Sequence, residues 1–211
     1  MRNARSLLAL WVVVILGTCG EGAPSDEASA SLEFRQPVEV SAEPTVNVVG
    51  GNAAQLQRLD LALDRFGEAG LLLPDREVVF APSKTECGGS RGRFDSRFVP
   101  WRITICSEEI DIIYEHEMAH AWEAATLTAE QRAGFMELRG YSVWDDGCVS
   151  PNECGVERAA FIIQQGVSGL PLPPALCAEQ LSRLEAFEFL AGFPDPRLAD
   201  WEGRDDVAIG L

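Results

Sequence analysis

The chain has 211 residues and two histidines, and both histidines fall in the pentapeptide His116-Glu117-Met118-Ala119-His120. Positions i and i+4 lie one turn apart on one face of a helix, so both imidazoles can reach a single metal ion. Glu117 projects beside that face, where a carboxylate can accept a proton from an activated water. Zinc suits this donor set, and a zinc enzyme needs a third protein ligand and an open fourth position. Histidine used structurally would be scattered along the chain; here it is confined to the one place a metal site requires it. The same residues contain Glu-x-x-His, the unit of di-iron bundles, but those need two such units and a third histidine does not exist.

The missing ligand is therefore expected to be Asp or Glu, and sites of the HExxHxxGxxH kind are excluded. Downstream, Gly155-Val156-Glu157-Arg158-Ala159-Ala160-Phe161-Ile162-Ile163 places an acid among apolar residues. The two alanines after Glu157 would let its helix approach the motif helix closely. Glu157 is the preferred third ligand, and Glu153, one turn earlier, is the alternative; if Glu157 binds, Glu153 becomes a supporting residue. The simpler reading of Glu157 is an acid in a first helical turn, favoured there by the helix dipole.

The elements that must position these residues can be read from patterning. Asn52–Ala69 carries Leu56, Leu59, Leu63 and Phe66 at helical spacing, with Gly70 as a stop. Segments 77–81, 91–95 and 101–106 read as short strands with Gly88-Gly89 as turn material. Ser107 can cap the motif helix, expected from Ile110 to about Ala125, with Glu108 and Glu109 in its first turn. Thr128 and Gln131 form a capping box for a helix ending before Gly140. Further helices are expected from about Glu153 to Gln165, closed by Gly166, and from Ala178 to Ala191, closed by Gly192. A helix, a small antiparallel or mixed sheet and then several helices make an α+β domain.

A net charge of −16, from 33 acidic and 17 basic residues, argues against nucleic acid as a partner. Residues 1–18 join Arg2 and Arg5 to the apolar run Leu7–Leu16, the form of a signal peptide. The run ends at Leu16-Gly17-Thr18-Cys19, so Cys19 is a candidate for a lipid anchor, with plain secretion and an uncleaved anchor as the alternatives. Residues 19–46, rich in Ser, Ala, Glu and Pro, read as a disordered tether; an edge strand over 34–40 is the alternative for part of it. The catalytic domain is expected over 47–195, with 196–211 as a tail, in an exported monomer. Beyond Cys19, five cysteines then favour disulfides. Cys87 with Cys106 is the preferred bridge, and Cys148 could pair with Cys154 or Cys177.

Three stretches together resemble a group of small bacterial zincin-like metallopeptidases of minimal gluzincin type. They are IIYEHEMAHAWE, the Leu138-x-Gly140-x-x-x-Trp144 element, and GVERAAFIIQQGV. The resemblance spans roughly residues 50–193. It implies a zincin-like fold, His116, His120 and Glu157 as zinc ligands, Glu117 as catalytic base, and a secreted or membrane-associated protein. Better-known gluzincins carry an acid four residues after the ligand Glu, to orient a histidine; here that position is Phe161, so the support must come from Glu123 or Glu153. Tyr141 and Arg158 are candidate oxyanion donors, the plainer roles being packing and a surface ion pair. Tyr114, Trp122 and Trp144 are expected in the core. The function expected is a zinc-dependent peptidase acting on peptide or protein substrates. Alternatives are a zinc amidase of cell-wall cross-links and a non-catalytic envelope binding or adhesion module.

Overall fold

The computed structural model describes residues 44–106, 112–145, 150, 153–170, 172 and 176–199, and over these the chain is α+β, the class expected. The expected signal peptide, Cys19 and nearly all of the 19–46 tether lie outside the described residues. So do Ser107, Glu108, Glu109, Cys148 and residues 200–211. Among the described residues no helix is long and apolar enough to cross a membrane.

The chain enters the fold on β1 (Val46–Val49), a strand absent from the expected elements. Its four residues are mostly exposed, so no two-residue alternation betrays it. Only pairing with a partner thirty residues away makes it a strand, since β1 lies parallel to β2 (Arg76–Phe80) with Val48 opposite Val78. The crossover between them is helix α1 (Ala53–Glu68). Asn52 accepts from the Gln55 backbone N–H and Gln55 returns the bond, a reciprocal cap of about 1 kcal/mol. β2 is also parallel to β4 (Trp101–Ile105), and β3 (Gly92–Asp95) is antiparallel to β4. The sheet is therefore mixed, in the order β1-β2-β4-β3, which leaves β3 at an edge.

Alternation in the register separates the two faces of the sheet. Val78, Ile103 and Ile105 are buried in the core beneath the helices. On the opposite face, Arg102 Nε donates to Glu77 Oε2 at 2.8 Å and Asn47 Nδ2 to Glu77 Oε1 at 3.3 Å. Cys87 and Cys106 are bonded with their Cα atoms 6.2 Å apart, tying the short 3-10 turn Lys84–Cys87 to the end of β4. Cys154 is also disulfide-bonded, and Cys177 is the N-cap of the last helix.

Four helices follow the sheet: α2 (Ile112–Thr126), α3 (Ala129–Arg139), α4 (Gly155–Val167) and α5 (Ala178–Ala191). The Thr128–Gln131 capping box opens α3, and Gly140 closes it at φ +67°. The expected stop at Gly166 is corrected: this glycine lies inside α4. A Cβ there would stand 2.2 Å from the Phe187 ring, so the residue is small because α4 and α5 meet at it, not because the helix ends. The turn falls instead at Gly169, with φ +69°. Past residue 195 the chain continues into a 3-10 turn, Pro196–Leu198, where buried Asp195 accepts from the Arg197 backbone N–H and guanidinium.

Candidate metal centre

α2 is buried around most of its circumference, carrying Tyr114, Met118, Ala119 and Trp122 into the core. Three carboxylates, Glu115, Glu117 and Glu123, are buried with it. Burying a carboxylate is costly unless it finds a partner. Glu115 pairs with Arg65 of α1, which anchors the motif helix just before His116. Glu123 and Glu117 find their partners at the histidines and at the edge strand.

His116 Nε2 and His120 Nε2 both face the Glu157 carboxylate of α4, at 3.3 and 3.6 Å from its two oxygens. One potential ligand atom from each of the three residues lies within 4.8 Å of the others. The far side of each ring is held: Gln164 Oε1 is 3.2 Å from His116 Nδ1, and Glu123 Oε1 is 2.7 Å from His120 Nδ1. An acceptor at Nδ1 draws the ring proton there and leaves the Nε2 lone pair free. Two lone pairs and a carboxylate then converge on one point, a placement that repels itself unless a cation stands among them. Two imidazoles and one carboxylate form a donor set used by divalent metal sites, catalytic zinc sites among them, and the residues present fit such an ion.

The ionisation of the group reflects this crowding. Hydrogen bonds from His116 and then His120 hold the Glu157 carboxyl well below the usual carboxylate range. Burial alone would depress His120, but Glu123, Glu157 and Glu117 outweigh it and raise its basicity well above that of a free imidazole. Burial pushes Glu123 up to about 7 against the attraction of His120. A dication bound among these groups would compete with protons for the same lone pairs.

Glu157 is delivered by the first turn of α4. The helix's unpaired N–H groups are taken up by the preceding segment, since Gly155 N donates to Val143 O and Val156 N to Trp144 O, both at 2.9 Å. Gly155 has no room for a side chain, because a Cβ would stand 2.8 Å from Trp144. Ala159 and Ala160 are fully buried and let α4 lie along α2, as their size suggested. Glu153 is exposed and stands outside the group; the structure brings Glu157, not Glu153, to the histidines.

Glu117 lies against β3. The Phe94 backbone N–H donates to its carboxylate, and burial raises its pKa, partly offset by His120 and His116. A Cβ on Gly92 would stand 2.6 Å from Glu117 Oε1, so glycine is required for the strand to pass this close. Gly92→Ala is therefore expected to displace the Glu117 carboxylate without touching the three ligands. If the group binds zinc and hydrolyses a substrate, zinc content should stay at the wild-type level while hydrolysis falls at least about tenfold. Unchanged turnover in Gly92→Ala, measured beside its zinc content, would remove β3 from the site.

Of the two supports foreseen for a histidine, Glu123 is in place and Glu153 is not. Gln164 was not foreseen. It lies two turns after Glu157 on the same face of α4, and a buried amide in an otherwise apolar run was the one available clue. Gly92 and Phe94 also escaped notice, because their role is backbone proximity, which has no residue-type pattern. The candidate donors Tyr141 and Arg158 bond each other instead: Arg158 Nε donates to Tyr141 Oη at 3.0 Å, Tyr141 packs against the core as the plainer reading had it, and neither lines the cleft. Trp144 is buried as expected but also reaches the cleft wall. The cleft encloses about 1100 Å³ and contains His116, Glu117, His120 and Glu157.

No family model, curated protein or solved structure matches the chain.

Proposed function

We propose that this protein is a zinc-dependent hydrolase built on a zincin-like domain, with peptides or proteins as its substrates. The observation that carries the reading is the convergence of both Nε2 lone pairs and the Glu157 carboxylate, each ring held at Nδ1, with Glu117 buried alongside. Zinc bound there would supply Lewis-acid activation of water and of the scissile carbonyl. His116, His120 and Glu157 would hold the ion, while Gln164 and Glu123 keep the imidazoles in the required tautomer and orientation. Glu117 takes the proton from the attacking water and delivers it to the departing amine, a task its burial-raised pKa suits.

Two features favour a polypeptide over a compact substrate. The cleft, at about 1100 Å³, is at the upper end of small-molecule pockets and is lined by the residues of β3. β3 is an edge strand whose Phe94 N–H already turns towards Glu117, so an extended segment can pair beside it. The Cys87–Cys106 disulfide supports export to an oxidising compartment. The test is zinc content and casein hydrolysis by the purified full chain. About one zinc per chain is expected, with activity lost to a chelator and restored by added zinc. A chain that takes up no zinc, or holds zinc but cleaves neither casein nor a peptide library, would overturn the reading.

A further inference from the structure

Basic residues are distributed very unevenly in this acidic chain. Residues 84–102 hold five of the 17 basic side chains (Lys84, Arg91, Arg93, Arg97 and Arg102) and only two of the 33 acids, Glu86 and Asp95. The other 12 basic residues are set against 31 acids. The segment surrounds β3, is tied to the end of β4 by Cys87–Cys106, and forms one wall of the cleft.

These side chains differ in how fully their charge is already used. Arg97 is bound to Asp95, with Nε to Oδ1 at 2.8 Å, and Arg102 is held by Glu77 while its guanidinium lies over the Phe98 ring. Across the cleft, Arg132 donates to the Glu123 and Ala124 carbonyls at the end of α2. Arg93 is half exposed and reaches Asp95 only at 3.7 Å. Lys84 and Arg91 line the cleft, and among the described residues neither forms an ion pair. Three under-used cations thus stand on the β3 wall. Two of them flank Gly92 in sequence; side chains alternate along a strand, so Arg93 projects from the face opposite the one that Gly92 turns to Glu117. A segment pairing with β3 would place its side chains about 5 Å from those of Arg91 and Arg93, where opposite charges attract.

We infer that the cleft selects polypeptide segments bearing acidic side chains next to the scissile bond, received by Lys84, Arg91 and Arg93. The inference rests on the hydrolase reading for the word scissile, but not for the binding preference. It runs against the whole-chain charge of −16, which by itself would attract a basic peptide. At physiological ionic strength fields decay over about 8 Å, so a bound segment senses the cleft lining itself: Lys84, Arg91 and Arg93 on the β3 side, and Glu117, Glu123, Asp145 and Glu157 on the helical side beside the candidate metal site.

The experiment compares two dye-labelled peptides of equal length and apolar content, one with Glu and one with Lys at the same positions. Binding is read by anisotropy on the zinc-loaded full chain carrying Glu117→Gln, and a mixed library is cleaved with wild type. At about 0.15 M salt the Glu peptide should bind about tenfold more tightly, the preference vanishing near 1 M. It should reverse in Arg91→Glu/Arg93→Glu, and wild-type cuts should cluster beside acidic residues. Equal or tighter binding of the Lys peptide, or a preference that survives the double substitution, would overturn the inference. An acidic preference in binding with no cleavage of any library member would support it and count against the hydrolase reading instead.

Discussion

Glu157→Ala is expected to leave the purified protein without zinc. Two imidazoles one turn apart on α2 remain, but the carboxylate that faces both Nε2 atoms is gone. Zinc held by a protein site contributes on the order of 12 kcal/mol, so one of three ligands carries about 4 kcal/mol, or roughly a thousandfold in affinity. A loss of that size empties the site during ordinary purification. Glu153→Ala is the matched control. It removes an acid from the same stretch of sequence, but an exposed one that stands apart from the histidines, and it should retain wild-type zinc. Metal content by mass spectrometry after dialysis, followed by chelator competition, decides the matter. Zinc retained in Glu157→Ala and lost in Glu153→Ala would sink the assignment.

Glu117→Gln should have the opposite pattern: zinc retained and hydrolysis reduced by about 10²- to 10⁴-fold, the share of a lost general base. The amide fills the same space under Gly92 and can still accept from the Phe94 N–H, so the architecture is conserved. What it cannot do is take a proton. Stability provides an independent readout. Burial holds the Glu117 pKa above its ordinary value, so the folded protein is penalised for ionising it as pH rises through that folded pKa. Neutral Gln escapes the penalty, and the melting temperature at alkaline pH should equal or exceed that of wild type. Activity and stability moving apart would mark a residue kept for chemistry. Full hydrolysis by Glu117→Gln would end its role as base.

Much of the local structure was legible because its causes are local. The Asn52–Gln55 and Thr128–Gln131 capping boxes are satisfied within one helical turn, and Gly140 and Gly192 close their helices at positive φ. β1 was not legible, because four mostly exposed residues become a strand only by pairing with β2. Gly166 misled for a related reason: glycine at a helix stop and glycine at a helix crossing are identical in sequence, and only Phe187 tells them apart.

The same division runs through the site. By itself the sequence determined the pair His116 and His120 on one helix face and the adjacent Glu117, since i,i+4 spacing on a helix is a local geometric fact, and with no histidine left it set the expectation of a carboxylate beside them. Which carboxylate, which residues hold the rings, and what lies over Glu117 were decided only by tertiary structure. Glu157 and Gln164 reach the histidines because α4 packs along α2, and Gly92 and Phe94 reach Glu117 because β3 closes the edge of the sheet. Those contacts join residues far apart in the chain, and their energy appears only when the elements pack and water is excluded.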